Sequence, residues 1–138
     1  MGNPLEELIF LNKLSEEVII FGKKIRWHTL DGDEFVSALQ STPAYDDFTR
    51  VQLLKVEKLA RAIESIDGQN WLSLIAKEKQ NEVTPLDKAR ETIRKWQKNV
   101  IDYIYMKYEM LEQKSNQQLQ ELEKSFLAPT PTSAGNGK

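Results

Sequence analysis

The chain has 138 residues, 40% hydrophobic and 29% charged, and its 19 basic and 21 acidic residues leave a net charge of −2. That length suits one domain with a single modest core, and the charges are mixed with no basic block for a phosphate backbone, so nucleic-acid binding is not expected. Cysteine is absent, which excludes a disulfide framework, a thiolate zinc site and a cysteine nucleophile.

Apolar runs such as VIIF are far too short to cross a membrane. No charged start leads into an apolar stretch with a small-residue cleavage site, so a signal peptide is not expected either.

In PLEELIFLNKLS, Leu5, Leu8, Ile9 and Leu14 fall on one side of a short N-terminal helix, although IFL serves a strand equally well. EEVIIFGKKIRWHTLDGDEF follows. Val18 and Ile20 alternate with Ile19 and Phe21, Gly22-Lys23 reads as a tight turn, and Ile25 and Trp27 share a face of a second strand. This hairpin, over residues 17–29, is marginal by itself. It must lie on helices or on another chain, or pair edge to edge with a partner's strand.

Asp31 is placed to cap the next helix while Glu34 reaches back to it, and EFVSALQS ends before Pro43. Asp-Gly-Asp-Glu begins like a calcium loop, but the ligand series does not continue. From Ala44 to about Ile66 the spacing predicts a longer helix. Phe48, Val51, Leu54 or Val56, Leu59, Ile63 and Ile66 form its inward stripe, and Lys55, Glu57, Lys58, Arg61 and Glu64 face water. Gly68 stops it in a left-handed position, and Trp71 folds back to seal the end.

LSLIAKEKQNEV predicts one or two helical turns and a polar loop. Thr84 then caps a helix with Pro85 at its first position and Asp87 in its first turn. No proline or glycine follows until after Phe126. Leu86, Ala89, Ile93, Trp96, Val100, Ile104, Tyr108 and Leu111 keep spacings of three and four. One helix of about 40 residues, roughly 60 Å long, is therefore expected. Its stripe lapses over residues 112–118 and resumes as Leu119, Leu122 and Phe126.

The expected fold is mainly α with a small β-hairpin near the N-terminus (α+β). A compact helical domain occupies residues 1–111, a helical extension 112–127, and a Pro-, Ser- and Gly-rich disordered tail 128–138.

Residues that could carry chemistry are sparse. His28 is the only histidine and has no cysteine, serine motif or second histidine to join it. Glu16-Glu17 and Asp46-Asp47 are adjacent, so the members of each pair point in different directions and form no dyad. No phosphate loop, zinc spacing or nucleotide fingerprint is present, so neither a cofactor nor a metal nor an enzyme activity is expected. Trp96, Tyr103, Tyr105 and Tyr108 lie near Arg94, Lys95, Lys98 and Lys107, but neighbouring acids dilute the charge that a base-stacking platform needs. Trp96 and Tyr108 read as core. Tyr103 and Tyr105 read as partner-binding, together with the strip of Leu119, Leu122 and Phe126, whose alternative is to fold back on the helix after Ala44.

Three stretches carry a family resemblance: EEVIIFGKKIRWHTLDGDEFVSAL, DDFTRVQLLKVEKLARAIESIDGQNW and PLDKARETIRKWQKNVIDYIYMKYEMLEQK. Together, over about Glu16 to Lys114, they resemble the tail assembly chaperones and baseplate-hub assembly proteins of tailed bacteriophages. The resemblance implies a non-enzymatic protein of the infected host's bacterial cytoplasm. Such proteins coat a large helical tape-measure protein, often as oligomers, until the tail tube forms around it. Leu59, Ala60, Ile63, Ile66, Asp67 and Gly68 match the pattern as fold-defining positions. The strip lies outside it. A permanent structural component of the virion, in tail, baseplate or connector, is the alternative.

Overall fold

The computed structural model describes residues 13–42 and 46–127. The expected N-terminal helix and the 128–138 tail lie largely outside these residues, as does the Ala44 start of the second long helix. Among the described residues a four-stranded antiparallel sheet and four α-helices follow one another in the order ββαα, ββ, αα.

Strands β1 (Ser15–Ile20) and β2 (Lys23–His28) form the expected hairpin. Their turn is Phe21-Gly22, one residue earlier than expected, with φ of 52° and 75°. Positive φ at both central residues marks a type I′ turn, whose twist matches that of right-twisted strands. Glu16, Val18 and Ile20 face the helices with Ile25 and Trp27, while Ser15, Glu17 and Ile19 are exposed. Trp27 is fully buried, and its Nε1 donates to Glu16 Oε1 at 3.3 Å.

Helix α1 (Gly32–Gln40) starts on the expected capping box. The Asp31 carboxylate accepts from Glu34 N at 2.8 Å, and Glu34 Oε1 accepts from Asp31 N at 3.0 Å. Helix α2 (Asp47–Ala62) is capped by Asp46, which accepts from Thr49 N.

The expected continuation of α2 to Ile66 is wrong. Ile63–Ile66 is strand β3, paired antiparallel with β2, and Gln69–Asn70 is a short β4. Asp67 and Gly68, at φ 52° and 81°, are the centre of a second two-residue turn, not a helix stop. β-Branched Ile63 and Ile66 gain more by extending the sheet than by adding one helical turn. Asp67 also bonds in strand register, its N donating to Lys24 O at 2.7 Å and its Oδ1 accepting from Lys24 N at 2.8 Å. Trp71 does seal this corner: it is buried, and Nε1 donates to Ile63 O at 2.9 Å.

Two short 3₁₀ turns, Leu72–Leu74 and Lys77–Lys79, lead to α3 (Pro85–Arg94). Thr84 caps it as expected, and Asp87 also reaches back to Thr84 N, making the cap reciprocal. The single 40-residue helix does not form. Lys95–Gln97 turns the chain, and α4 (Lys98–Leu127) begins anew. Both α3 and α4 pack on α2, and one straight rod cannot lie against the same helix twice; half-buried Trp96 packs on the core at the bend.

The inward stripe of α2 is also corrected. Phe48 and Val51 are exposed, whereas Val56, Glu57, Lys58, Leu59 and Ala60 are all buried. α2 is the central helix, packed by α1, α3, α4 and β3, so at this level it has no solvent side. The core joins Ile20, Ile25 and Trp27 of the sheet to Leu59 and Ile63, to Ala89 and Ile93 of α3, and to Ile101, Ile104, Tyr108 and Leu111 of α4.

Candidate interaction surfaces

Burial of Glu57 and Lys58 in a central helix requires partners, because an unpaired charge there would lose its hydration for nothing. Glu57 accepts from Arg61 Nη1 at 2.8 Å and, with both oxygens, from Arg90 at 2.6 and 2.9 Å. Burial pushes its pKa up, but the two guanidinium groups outweigh that and hold it below the ordinary value. Arg61 also donates to Ser37 Oγ and Ser41 Oγ, tying α1 to the same node.

Lys58 Nζ donates to the Tyr105 hydroxyl and to Glu112, each at 3.0 Å. The rings of Tyr105, Phe35 and Tyr108 surround it at 5.3–5.8 Å. Burial opposes its charge, but Tyr105 and Glu112 raise its pKa above the ordinary value. Lys98, Gln52 and Lys55 converge on Asp102 and hold its carboxyl far below the usual carboxylate range. These groups knit α1, α2, α3 and α4 together.

The sequence-derived candidates are therefore dispersed. Tyr105 is half-buried on the α2 side of α4, engaged by Lys58. Tyr108 is fully buried, edge-on to Trp27 at 5.6 Å, and burial drives its phenol pKa well up. Tyr103 lies on another side of the helix, exposed, with its ring 5.1 Å from Phe21. Tyr105 and Tyr108 adjoin at 6.1 Å around Lys58, but the four aromatic residues of this stretch form no single face. His28 sits beside a depression of about 570 Å³ lined by Asp33, Glu34, Ser37, Arg61 and Glu64. Its Nδ1 is 2.7 Å from Thr29 O, and Ser37 Oγ accepts from Arg61. Among the described residues no three His, Asp or Glu side chains are grouped to hold a metal ion. No described helix is long and apolar enough to cross a membrane.

Among the described residues, α4 carries two exposed apolar surfaces. Ile104, Tyr108 and Leu111 are buried. Eleven residues make about three turns, so Ser115, Leu119 and Leu122 continue the same face, and Phe126 continues it one turn further. The core ends at Leu111, yet the helix runs sixteen residues more. Leu119 is 41% exposed, Phe126 79% and Leu122 half-buried. The expected strip exists, on a helix that projects from the fold.

Of the second surface, the sequence reading names only Tyr103 as partner-binding. Tyr103, Met106 and Met110, at i, i+3 and i+7, line the outer side of α4 at 41–56% exposure. Phe21 joins them through its contact with Tyr103, and Ile19 through a depression shared with Met110. The signal was present as a second spacing of three and four opposite the core stripe. Phe21 is also a bulky residue held at positive φ, a strained conformation for any residue with a Cβ.

No protein-family model matches the chain, and no curated protein or solved structure matches it either.

Proposed function

We propose that this chain is a non-enzymatic assembly factor that binds helical segments of a larger protein. In the setting implied by its resemblance, the client is a tape-measure-like phage tail protein in the host bacterial cytoplasm. The observation that carries this reading is the continuity of the buried face of α4 into the exposed strip of Leu119, Leu122 and Phe126. A client helix laid along residues 112–127 would extend the core outward, covering about 24 Å of helix.

Magnitudes set how such binding must work. Three side chains contribute at most about 1.5–3 kcal/mol each when fully buried. Association costs about 4–15 kcal/mol, so one strip binds weakly. Many copies along one long client would bind well through avidity, which favours a self-associating protein that coats its partner.

The test compares infected-cell lysate with purified particles by mass spectrometry. A chain bound to a long helical protein in lysate and missing from particles supports the assembly factor. A fixed stoichiometric presence in particles supports the permanent virion component instead. Replacing Leu119, Leu122 and Phe126 by Gln should abolish client capture with the fold intact; capture that survives would sink the strip.

A further inference from the structure

The two edges of the sheet are unlike. β4 is two residues long and offers little to pair with. β1 is six residues, SEEVII, without proline or bulge; its inward charge, Glu16, is engaged by Trp27 and Lys114, and its outward charge is Glu17. In the hairpin Ile20 and Lys23 close the turn, so the hydrogen-bonded pairs are Ile20–Lys23, Val18–Ile25 and Glu16–Trp27. The Thr29 N to Leu14 O bond keeps that alternation at the other end. The N–H and C=O groups of Ser15, Glu17 and Ile19 therefore point away from β2. Among the described residues no strand pairs with them.

A wall stands beside this edge. α4 runs antiparallel to β1, from the Phe21–Tyr103 ring contact to the Glu16–Lys114 ion pair at 3.7 Å. Between them lies a depression of about 270 Å³, lined by Val18, Ile19, Trp27, Lys107 and Met110 among others. That is below the roughly 300–1,000 Å³ of small-molecule pockets, and suits the side chains of a peptide. Flexible methionines adapt to varied apolar groups.

We propose that the groove between β1 and α4 accepts an extended segment of another protein by strand addition. The incoming strand bonds to Ser15, Glu17 and Ile19 and seats alternate apolar side chains against Val18 and Met110. Charge selects the occupant. The two-fold pairing of β1 with a second copy that engages all three of Ser15, Glu17 and Ile19 centres on Glu17 and sets it opposite its own equivalent, which is unfavourable. Among the described residues Glu17 has no ion-pair partner, so a strand carrying lysine or arginine there is favoured. This site is separate from the helical strip and stands or falls without it.

The experiment uses the full chain and a blocked octapeptide, Thr-Val-Lys-Val-Thr-Val-Lys-Val, followed by amide hydrogen exchange and NMR. At peptide ten times above its dissociation constant, exchange at Glu17 and Ile19 should slow about tenfold. The same peptide N-methylated at alternate amides should give no protection, a control that needs no protein variant. Ile19→Pro, which removes only an outward N–H, should abolish the effect, and Ile19→Lys should weaken it. Replacing Leu119, Leu122 and Phe126 by Gln should leave it unchanged. The proposal is overturned by unprotected β1 amides at about 1 mM peptide. Protection of those amides before peptide is added, by a second copy or by the chain's own residues, overturns it too.

Discussion

Glu57 of α2 and Arg90 of α3 form a two-pronged ion pair, Nε to Oε2 at 2.6 Å and Nη2 to Oε1 at 2.9 Å, with the Glu57 side chain 1% exposed. It joins residues 33 apart in the chain and fixes how α3 lies on the central helix. Removing the carboxylate leaves two guanidinium groups facing one another. Glu57→Gln should destabilise the fold by about 3 kcal/mol, measured by urea denaturation. A loss below about 1 kcal/mol would mean that water already screens the node.

The same group sets an acid limb. Its folded pKa is depressed below the ordinary 4.5, so its stabilisation is fully present above about pH 4.5. It is lost as pH falls through the lower folded value. Thermal melts from pH 6 downward should show a falling Tm in the natural protein and a flatter curve in Glu57→Gln. Parallel curves would assign the acid limb to Asp102 and the capping carboxylates instead.

Lys58 differs because Glu112, at one end of its contacts, is 33% exposed and can hydrate when released. Lys58→Met keeps the aliphatic stem among Phe35, Tyr105 and Tyr108. A loss of about 1–2 kcal/mol is expected, smaller than at Glu57. The comparison is one of denaturation midpoints at equal m-value. The reverse order would show that the cation and its rings contribute more than the buried carboxylate.

Gly68 tests the second turn. Nothing lies within 4 Å of a Cβ added there, so any effect of Gly68→Ala comes from φ of +81° alone. About 1 kcal/mol of destabilisation is expected. No change would mean that the turn relaxes to another geometry, which chemical shifts of Asp67 and Gln69 would reveal.

α4 should exchange its amides in two regimes. Ile101 to Leu111 are held by the core and should be protected to nearly the global stability. Residues 115–127, beyond the Lys114–Glu16 ion pair, make no hydrogen bond or ion pair outside their own helix among the described residues and should exchange orders of magnitude faster in the chain alone. Uniform protection along α4 would mean that the strip is already covered, and would remove the surface on which client binding rests.

Local signals were legible wherever the determinant is local. Asp31 with Glu34, and Thr84 with Pro85 and Asp87, start helices because side chain and backbone satisfy each other within one turn. Alternation over Val18–Ile20 and Ile25–Trp27 gave the hairpin, and the lapse after Leu111 gave the projecting strip, since periodicity alone says which side is apolar. Pairing and centrality were not legible. Ile63–Ile66 reads as the end of a helix until β2 lies beside it, and Glu57 and Lys58 read as solvated until three helices surround them. The kink at Trp96 has no proline or glycine to announce it. The surface of Ile19, Phe21, Tyr103, Met106 and Met110 exists only because α4 is laid along β1. Sequence determined which segments could bury a face; the tertiary structure decided which faces met, because burial depends on neighbours that no local window contains.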